Sequence, residues 1–192
     1  MFLEASDFPF IKILESHWRT VQEELFNLEA NQFVPWHEKH LYNKGWSVYG
    51  LYAFGKKIKA HCSTCPKTTE IIEKIPNLFT AGFSVLSPKT HVKPHRGYSN
   101  KVLRCHLGLV IPQNCSLRVA GVIRSWQERK CLIFDDTALH EAWNHSDSRR
   151  VVLLIDFRKD AKSLDFLEKI KNFVLRYLAE SGHKILHRDG SY

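Results

Sequence analysis

The apolar positions near the start of the chain recur at helical spacing. In the segment 7–30 they lie three or four residues apart or in multiples of that spacing, at Phe10, Ile13, Leu14, Val21, Leu25 and Leu28. Asp7 can cap a helix at this point, and Pro9 falls in the first turn, where helices tolerate proline. The pattern therefore predicts an amphipathic helix over about 7–30.

Short β-prone runs replace the helical spacing in the middle of the chain. An aromatic-rich run at 46–54 predicts a strand, and 69–75 predicts a short helix that Pro76 ends. Further runs, separated by turn residues, predict strands at 83–86, 103–111, 116–119, 122–126, 131–134 and 151–157. Several short strands at close spacing favour a sandwich or a barrel.

Helical spacing returns near the end, where 163–181 predicts a second amphipathic helix. The chain has 192 residues and shows no internal repeat, low-complexity tract or linker. This length suits one domain. We therefore predict a single domain over 1–192, mainly β with flanking α, in which a β-barrel core over about 46–157 has helices packed outside it.

The charge of the chain is basic but dispersed. It carries 28 Lys and Arg against 20 Asp and Glu, a net charge of +8, which favours anionic partners. The densest short cluster is Lys56, Lys57 and Lys59, and neither an arginine-rich tail nor a zinc-finger spacing is present. These features do not predict a nucleic-acid-binding protein.

The sequence also lacks the usual signals for export or membrane insertion. Residues 1–10 do not form a signal peptide, and no stretch approaches the roughly 20 apolar residues that span a bilayer. We expect a cytoplasmic protein without a membrane span. The five cysteines cannot all pair within one chain, and Cys62-x-x-Cys65 has three interpretations: a redox pair, half of a zinc site, or two free thiols in a surface loop.

The candidate chemistry lies among the eleven histidines. A predicted loop over 87–101, between two β-prone runs, carries His91 and His95, and His140 follows the predicted strand 131–134. A mononuclear iron oxygenase uses two imidazoles and usually a carboxylate, which in barrel oxygenases commonly follows the first histidine by two residues. That position is Gly97. Either the site does not bind iron, or water or another small ligand fills the third place.

One His-x-Asp arrangement does exist, from His145 to Asp147, and it is an alternative candidate for a metal site. Only one predicted strand follows Asp147, and the downstream histidine His187 lies in the C-terminal tail. The stretch 144–148 is better interpreted as a polar turn.

Several segments resemble the aspartyl/asparaginyl β-hydroxylase family in order, spacing and residue type. They are His91-Val-Lys-Pro-His95-Arg-Gly97, the run 103–112, the run 132–136, His140-Glu-Ala-Trp143, and Arg150. The resemblance extends over about 8–157. It implies an Fe(II)- and 2-oxoglutarate-dependent dioxygenase that uses O2, built on a double-stranded β-helix, the jelly-roll or cupin-like fold.

The resemblance also implies roles for individual residues. In this family iron is bound by two histidines and no carboxylate, so His95 and His140 would be the metal ligands and Gly97 is expected. The remaining roles concern 2-oxoglutarate: Arg150 and Ser84 at its far carboxylate, Arg104 and His106 at the end near the metal, and Trp46 in the pocket wall.

Simpler interpretations of the same residues remain open. Arg150 could be a surface partner of Asp147 or Asp156, and His106 a hydrogen-bonded core residue. Trp46 could anchor the core, and Asp136, with Asp135, could merely shape the turn before His140.

The resemblance leaves the substrate open. It implies hydroxylation of an unactivated carbon, first of all the β-carbon of an aspartyl, asparaginyl or related residue, in a small-molecule, peptide or protein substrate. The alternatives are a lipid A-type fatty-acyl hydroxylase, a halogenase in which halide takes the vacant iron position, and a non-catalytic cupin-like module that binds metal or a 2-oxoacid. The oligomeric state stays undetermined.

Overall fold

The computed structural model describes residues 1–159, so the predicted helix over 163–181 lies outside the described residues. The β-strands are β1 (Phe2–Leu3), β2 (Val34–Pro35), β3 (Trp46–Ala53), β4 (Lys56–Lys57), β5 (Leu78–Leu86), β6 (Thr90–His95), β7 (Val102–Val110), β8 (Cys115–Val119), β9 (Val122–Ser125), β10 (Cys131–Phe134), β11 (His140–Asn144) and β12 (Arg150–Arg158). The α-helices are α1 (Ile11–Ser16), α2 (Trp18–Phe26), α3 (Lys59–Thr64) and α4 (Pro66–Ile72).

The strands form two sheets. The larger has the order β1-β10-β7-β12-β5-β3-β2, with β4 paired to β3, and the smaller has the order β6-β11-β8-β9. Along the chain from β5 to β12, the strands pass back and forth between these sheets, and every pairing is antiparallel. This winding is a double-stranded β-helix, which confirms the predicted mainly β fold with flanking helices.

The central strand β12 shows how the residues distribute over the two sides of the larger sheet. Its side chains alternate between faces, as in any strand. Val151, Leu153 and Ile155 belong to the apolar cluster shared with the helices, whereas Val152 and Leu154 belong to the cluster between the two sheets. Residues at even positions of β12 thus face the barrel interior.

The same alternation places the candidate residues of the larger sheet. Ser84 shares its face of β5 with Leu86, and Arg104 and His106 lie on the face of β7 opposite to Cys105 and Leu107. Buried strands therefore turn these polar side chains towards the barrel interior. No helix among residues 1–159 is long and apolar enough to cross a membrane.

The continuous N-terminal helix predicted over 7–30 is wrong. The chain forms two helices, α1 and α2, that meet at His17, where the backbone leaves helical geometry (φ −102°, ψ 12°). The Ser16 hydroxyl donates to the carbonyl oxygen of Ile13 at 3.0 Å, and the Nδ1 of His17 donates to the same oxygen at 2.9 Å. These side chains satisfy a carbonyl at the helix end, as capping groups do.

The helix predicted over 69–75 is displaced. It is α4, which starts at Pro66 in the first helical position, where a missing N–H costs nothing, and ends at Ile72. The carboxylate of Glu24 accepts hydrogen bonds from the backbone N–H groups of Lys67 and Thr68 at 2.9 and 2.7 Å, so α2 caps the start of α4.

The loop predicted over 87–101 is also partly wrong, because it contains strand β6. Strand β11, which begins at His140, was not predicted at all. Both strands carry histidines and other polar side chains, which hides the alternation of apolar residues on which strand prediction depends.

Candidate metal centre

The two histidines singled out from the sequence are neighbours across a strand pair. His140 lies directly opposite His95 in the pairing of β11 with β6, and their ring centroids are 4.1 Å apart. The pairing shifts register just after His140, between His140 and Ala142. The fold thus brings together two imidazoles that are far apart in the sequence.

Hydrogen bonds fix which nitrogen of each ring is available. The Nδ1 of His95 donates to the carbonyl oxygen of Lys93 at 2.8 Å, and the Nδ1 of His140 donates to that of Ala138 at 2.9 Å. Because a carbonyl oxygen can only accept, each Nδ1 carries the proton and each Nε2 keeps its lone pair. Metal-binding histidines are commonly held in this way.

Burial favours the neutral form of both rings. It lowers the pKa of His140 to about 3, with a further contribution from the neighbouring His95. Burial also lowers the pKa of His95. Both side chains are therefore neutral at physiological pH, which is the state a metal ligand requires.

Gly97 lies where the usual third ligand would be, and the space beside it is taken. A Cβ at this position would collide with the carboxylate of Asp136, and the Gly97 N–H donates to the backbone oxygen of Asp136 at 2.7 Å. Within residues 1–159, no group of three or more His, Cys, Asp or Glu is placed to hold a metal. The protein thus offers a two-imidazole donor set in this region.

Asp136 is itself an unusual carboxylate. It is buried, its Oδ2 lies 3.3 Å from Nη2 of Arg104, and its Oδ1 has no hydrogen-bond partner. Burial raises the pKa of Asp136, although the Arg104 charge opposes this shift. An orphaned buried acceptor of this kind is a place for a water molecule or a ligand.

Arg104 lies beside the site and is already neutralised. Its Nε and Nη2 donate to the two carboxylate oxygens of Asp156 at 2.7 and 3.0 Å. Burial disfavours the charge, but the carboxylates of Asp156 and Asp136 outweigh it and raise the pKa of Arg104. Sequence reasoning named Asp156 only as a possible surface partner of Arg150 and missed its pairing with Arg104. The only signal for this role is its even position on β12, on the same face as Arg150.

Arg150 is the opposite case, a buried cation without an anion. Only 3% of the residue is exposed, its Nη1 donates to the carbonyl oxygen of Ser84 at 3.3 Å, and its guanidinium lies 4.6 Å over the ring of Trp126. Its Nε has no partner, and no carboxylate within residues 1–159 forms an ion pair with it. Burial lowers the pKa of Arg150 to about 9.

This environment excludes the surface role considered for Arg150. Asp147 pairs with Lys89 at 2.9 Å and Asp156 with Arg104 at 2.7 Å, so neither carboxylate is its partner. An uncompensated buried charge is costly, and a ligand carboxylate is a group that would offset the cost. The exposed arginine of the pair is the neighbouring Arg149.

His106 presents a second unsatisfied donor. Its Nδ1 accepts a hydrogen bond from the indole N–H of Trp126 at 3.2 Å, so the proton of the neutral ring lies on Nε2, which is buried without a partner. Burial, and then the charges of Arg150 and Arg104, hold the pKa of His106 well below its usual range. The interpretation as a satisfied core histidine thus accounts for one ring nitrogen only.

Ser84 and Trp46 line the barrel interior beside Arg150. Both are buried, and the indole N–H of Trp46 donates to the hydroxyl oxygen of Ser84 at 3.1 Å. The hydroxyl hydrogen of Ser84 remains available for another acceptor. Trp46 also stacks on Trp36, with centroids 4.5 Å apart, and packs in the cluster between the sheets, so it is both a core anchor and a wall of this region.

The other candidate sites do not assemble. Asp147 of the His145-x-Asp147 arrangement has a largely exposed side chain. Cys62 and Cys65 are free thiols, but they are buried at α3 rather than placed in a surface loop, so that part of the interpretation is wrong. Burial raises the pKa of Cys65 to about 12, which makes it a poor nucleophile or metal ligand.

The fold and the paired histidines place the protein among the double-stranded β-helix proteins with a histidine site in the barrel. The structure is similar to a prolyl-4-hydroxylase from Pseudomonas putida, with a TM-score of 0.51, 15% sequence identity, and coverage of 77% of this chain and 88% of that chain. At this identity the similarity concerns the fold alone.

A family model for aspartyl/asparaginyl beta-hydroxylase matches residues 15–160, and the chain belongs to this family. It is 47% identical over 121 residues to an ornithine lipid ester-linked acyl 2-hydroxylase of Rhizobium tropici, covering 62% of this chain and 43% of that protein. It is 37% identical over 158 residues to the human aspartyl/asparaginyl beta-hydroxylase, covering 76% of this chain and 20% of that protein. The chain thus spans less than half the length of these relatives.

Proposed function

We propose that this protein is an Fe(II)- and 2-oxoglutarate-dependent hydroxylase, with His95 and His140 as the metal ligands. The observation that carries the proposal is the buried, unpaired guanidinium of Arg150 in the same barrel that holds two neutral imidazoles. The unpaired cation and the two available imidazole lone pairs are complementary to a chelating dicarboxylate and its iron.

The donor chemistry fits iron. Two imidazole nitrogens with vacant positions beside them suit Fe(II), and a third place can be taken by water. The unpartnered Oδ1 of Asp136, in the space that Gly97 leaves, can accept a hydrogen bond from such a water. Bound iron and 2-oxoglutarate would together supply the chemistry of O2 activation and hydroxylation, which the side chains cannot supply themselves.

The residues of the larger sheet would hold 2-oxoglutarate. The planar guanidinium of Arg150 can form two parallel hydrogen bonds with its far carboxylate, and the free hydroxyl hydrogen of Ser84 can form a third. The unpartnered Nε2–H of His106 can donate to an oxygen at the other end. Arg104 would act there through Nη1, because Nε and Nη2 already bind Asp156.

The surrounding aromatic residues would exclude water from this region. Phe134 lies between His140, a proposed metal ligand, and His106, which would contact 2-oxoglutarate. Its ring centroid is 5.5 Å from that of His140 and 5.3 Å from that of His106. Trp46 and Trp126 are buried beside it. Hydrogen bonds and charge interactions are stronger in such a low-dielectric site than in water.

The substrate carbon can be defined more closely. Carbon 2 of an ester-linked acyl chain lies next to the ester carbonyl, and the β-carbon of aspartate lies next to the side-chain carboxyl. The reactions that the names of the two relatives describe are therefore of one type: hydroxylation of a carbon adjacent to a carbonyl group. The higher identity to the lipid hydroxylase favours an acyl chain over the aspartyl β-carbon that the family name suggests.

The test is a mass-spectrometric screen with Fe(II), 2-oxoglutarate and O2. An amine-bearing acyl lipid and an aspartyl peptide are offered separately, with chloride present or absent. The proposal expects succinate and a product heavier by one oxygen. A chloride-dependent mass change would instead identify a halogenase, and binding of 2-oxoglutarate without succinate in the presence of every substrate would identify a non-catalytic module.

A further inference from the structure

Exposed apolar side chains are concentrated at one end of the smaller sheet. Of the seven large hydrophobic residues that are exposed within residues 1–159, four belong to the segments around the two histidines. Tyr98, which is 69% exposed, follows His95 by three residues, and Leu139, which is 49% exposed, directly precedes His140. The other two are Val122 and Ile123, at 54% and 51%.

The pairing of the strands shows that these residues meet at the same end. Strand β6 ends at His95, and the antiparallel strand β11 begins at His140. Val119, the last residue of β8, pairs with His140 and also with Val122, the first residue of β9. The backbone N–H of Ala120 donates to the carbonyl oxygen of Leu139 at 2.9 Å, which ties the β8–β9 turn to the segment before His140.

The β8–β9 hairpin presents apolar groups on both of its faces. Its two turn residues, Ala120 and Gly121, have φ of 48° and 83°, as in the tight turns that favour hairpins. Val122 and Ile123 point to opposite faces, yet both are more than half exposed because β9 is the edge of its sheet. Natural edge strands usually carry charged groups, so an apolar tip indicates a contact surface.

Two cations flank the same end. Lys93 and Arg96 are exposed on either side of His95, and neither pairs with a carboxylate in the described part of the chain. Backbone carbonyls hold them: Lys93 Nζ donates to His40 at 3.2 Å and Arg96 Nη1 to Thr137 at 2.9 Å. Their charges are therefore positioned but not neutralised.

We propose that this rim, formed by Lys93, Arg96, Tyr98, Val122, Ile123 and Leu139, docks on the surface of an anionic phospholipid membrane. The aliphatic side chains would enter the boundary of the acyl chains, the tyrosine would lie at headgroup level, and the two cations would bind the negative surface. The inference deepens the proposed function, because an acyl chain could then pass from the bilayer to the histidines without crossing water.

The charge of the rim favours a membrane over a second copy of the chain. Two copies meeting rim to rim would bring Lys93 and Arg96 of both towards each other, and the chain as a whole carries a net charge of +8. Like charges at an interface oppose association, whereas an anionic bilayer attracts them. Dimer formation is therefore the rival outcome of the test.

The test is co-sedimentation of the full chain with vesicles. One set contains equal parts of phosphatidylcholine and phosphatidylglycerol, and the other contains phosphatidylcholine alone. The wild type should sediment with the anionic vesicles, less with the neutral ones, and less at high salt. The double variant Val122→Ser/Ile123→Ser should lower the partition constant by roughly tenfold or more, because it removes buried apolar area.

Matched controls distinguish binding through the rim from nonspecific adsorption through any exposed apolar side chain. Phe26→Ser removes an equally exposed apolar side chain from α2 and should leave the partition unchanged. Arg96→Gln should reduce binding to anionic vesicles about fivefold, the attraction of one arginine to the surface, whereas Lys56→Gln should not. Turnover of 2-oxoglutarate in solution by the Val122→Ser/Ile123→Ser variant should equal that of the wild type.

Three results would contradict the proposal that this rim docks on an anionic membrane. They are a wild type that does not bind anionic vesicles, equal losses for Phe26→Ser and Val122→Ser/Ile123→Ser, and a dimer that the double variant dissociates while vesicle binding persists. If the wild type produced no succinate with any substrate but followed the expected vesicle pattern, the hydroxylase proposal would fail and the docking surface would stand.

Discussion

At the scale of single residues, the buried guanidinium of Arg150 carries a desolvation cost that no carboxylate in residues 1–159 offsets. Protein folds tolerate such a group where a ligand completes it. The sequence could indicate that Arg150 enters the last strand. It could not show the absence of an internal anion, since Asp156 pairs with Arg104 only because β12 and β7 are neighbours in the sheet.

Replacing Arg150 with Met should therefore separate stability from binding. Without the unpaired charge, the free energy of unfolding of the protein free of 2-oxoglutarate should rise by about 1–4 kcal/mol, as it does when buried ionic groups give way to apolar ones. Binding of 2-oxoglutarate should be lost. Urea unfolding and calorimetric titration measure the two effects. Arg149→Met, at the exposed neighbour, should change neither, and a destabilised Arg150→Met would argue against an unpaired cation.

The lowered pKa of His140 makes a prediction about acid stability. In the unfolded chain this group binds a proton below about pH 6.5, whereas in the folded state it stays neutral down to about pH 3. The contribution of His140 to the free energy of unfolding is therefore fully present above about pH 6.5. Below that pH the free energy of unfolding falls by about 1.4 kcal/mol per pH unit for each such histidine.

Urea unfolding of chelator-treated protein between these pH values would show this slope. His140→Gln should reduce the proton uptake on unfolding by about one. His17→Gln, at an exposed histidine, serves as the control. A His140→Gln variant with the wild-type slope would mean that the ring is not buried as a neutral group.

At the scale of elements, the strands recognised from the sequence are those with apolar side chains on at least one face. The strands β7 and β12 are almost entirely buried, and their apolar runs were predicted correctly. The strands that carry the two histidines were missed, because β6 and β11 place polar groups where apolar ones are expected. The elements hardest to predict are thus those that build the site.

Gly97 lies just after β6, and its backbone N–H binds Asp136 in the turn before β11. Substitution of Gly97 tests this contact. In Gly97→Ala, the new methyl group would collide with the Asp136 carboxylate and displace it from Arg104. The free energy of unfolding should fall by about 1–3 kcal/mol, the usual cost of overpacking, and iron affinity should fall with it. Gly50→Ala is the matched control, because a Cβ there meets only the mobile end of Ile58 at 3.2 Å. Equal effects of both substitutions would exclude a specific role for the Gly97–Asp136 contact.

At the scale of the whole molecule, family membership and fold could both be predicted from the sequence, since ordered motifs such as His95, Gly97 and His140 are recognisable without coordinates. The basic net charge favours anionic partners, but the structure was needed to locate exposed cations such as Lys93 and Arg96 that are held by backbone carbonyls. Only the strand pairing brings the apolar tip of β9 to the end of the sheet that holds the histidines. A cytoplasmic location stays a prediction.

The most direct test of the central claim is an anaerobic calorimetric titration of chelator-treated protein with Fe(II), with and without 2-oxoglutarate. The account predicts one iron per chain, bound more tightly when 2-oxoglutarate is present, and loss of binding in both His95→Ala and His140→Ala. His145→Ala, which changes a histidine outside the site, should bind as the wild type does. Wild-type iron binding by both His95→Ala and His140→Ala would contradict the two-histidine site.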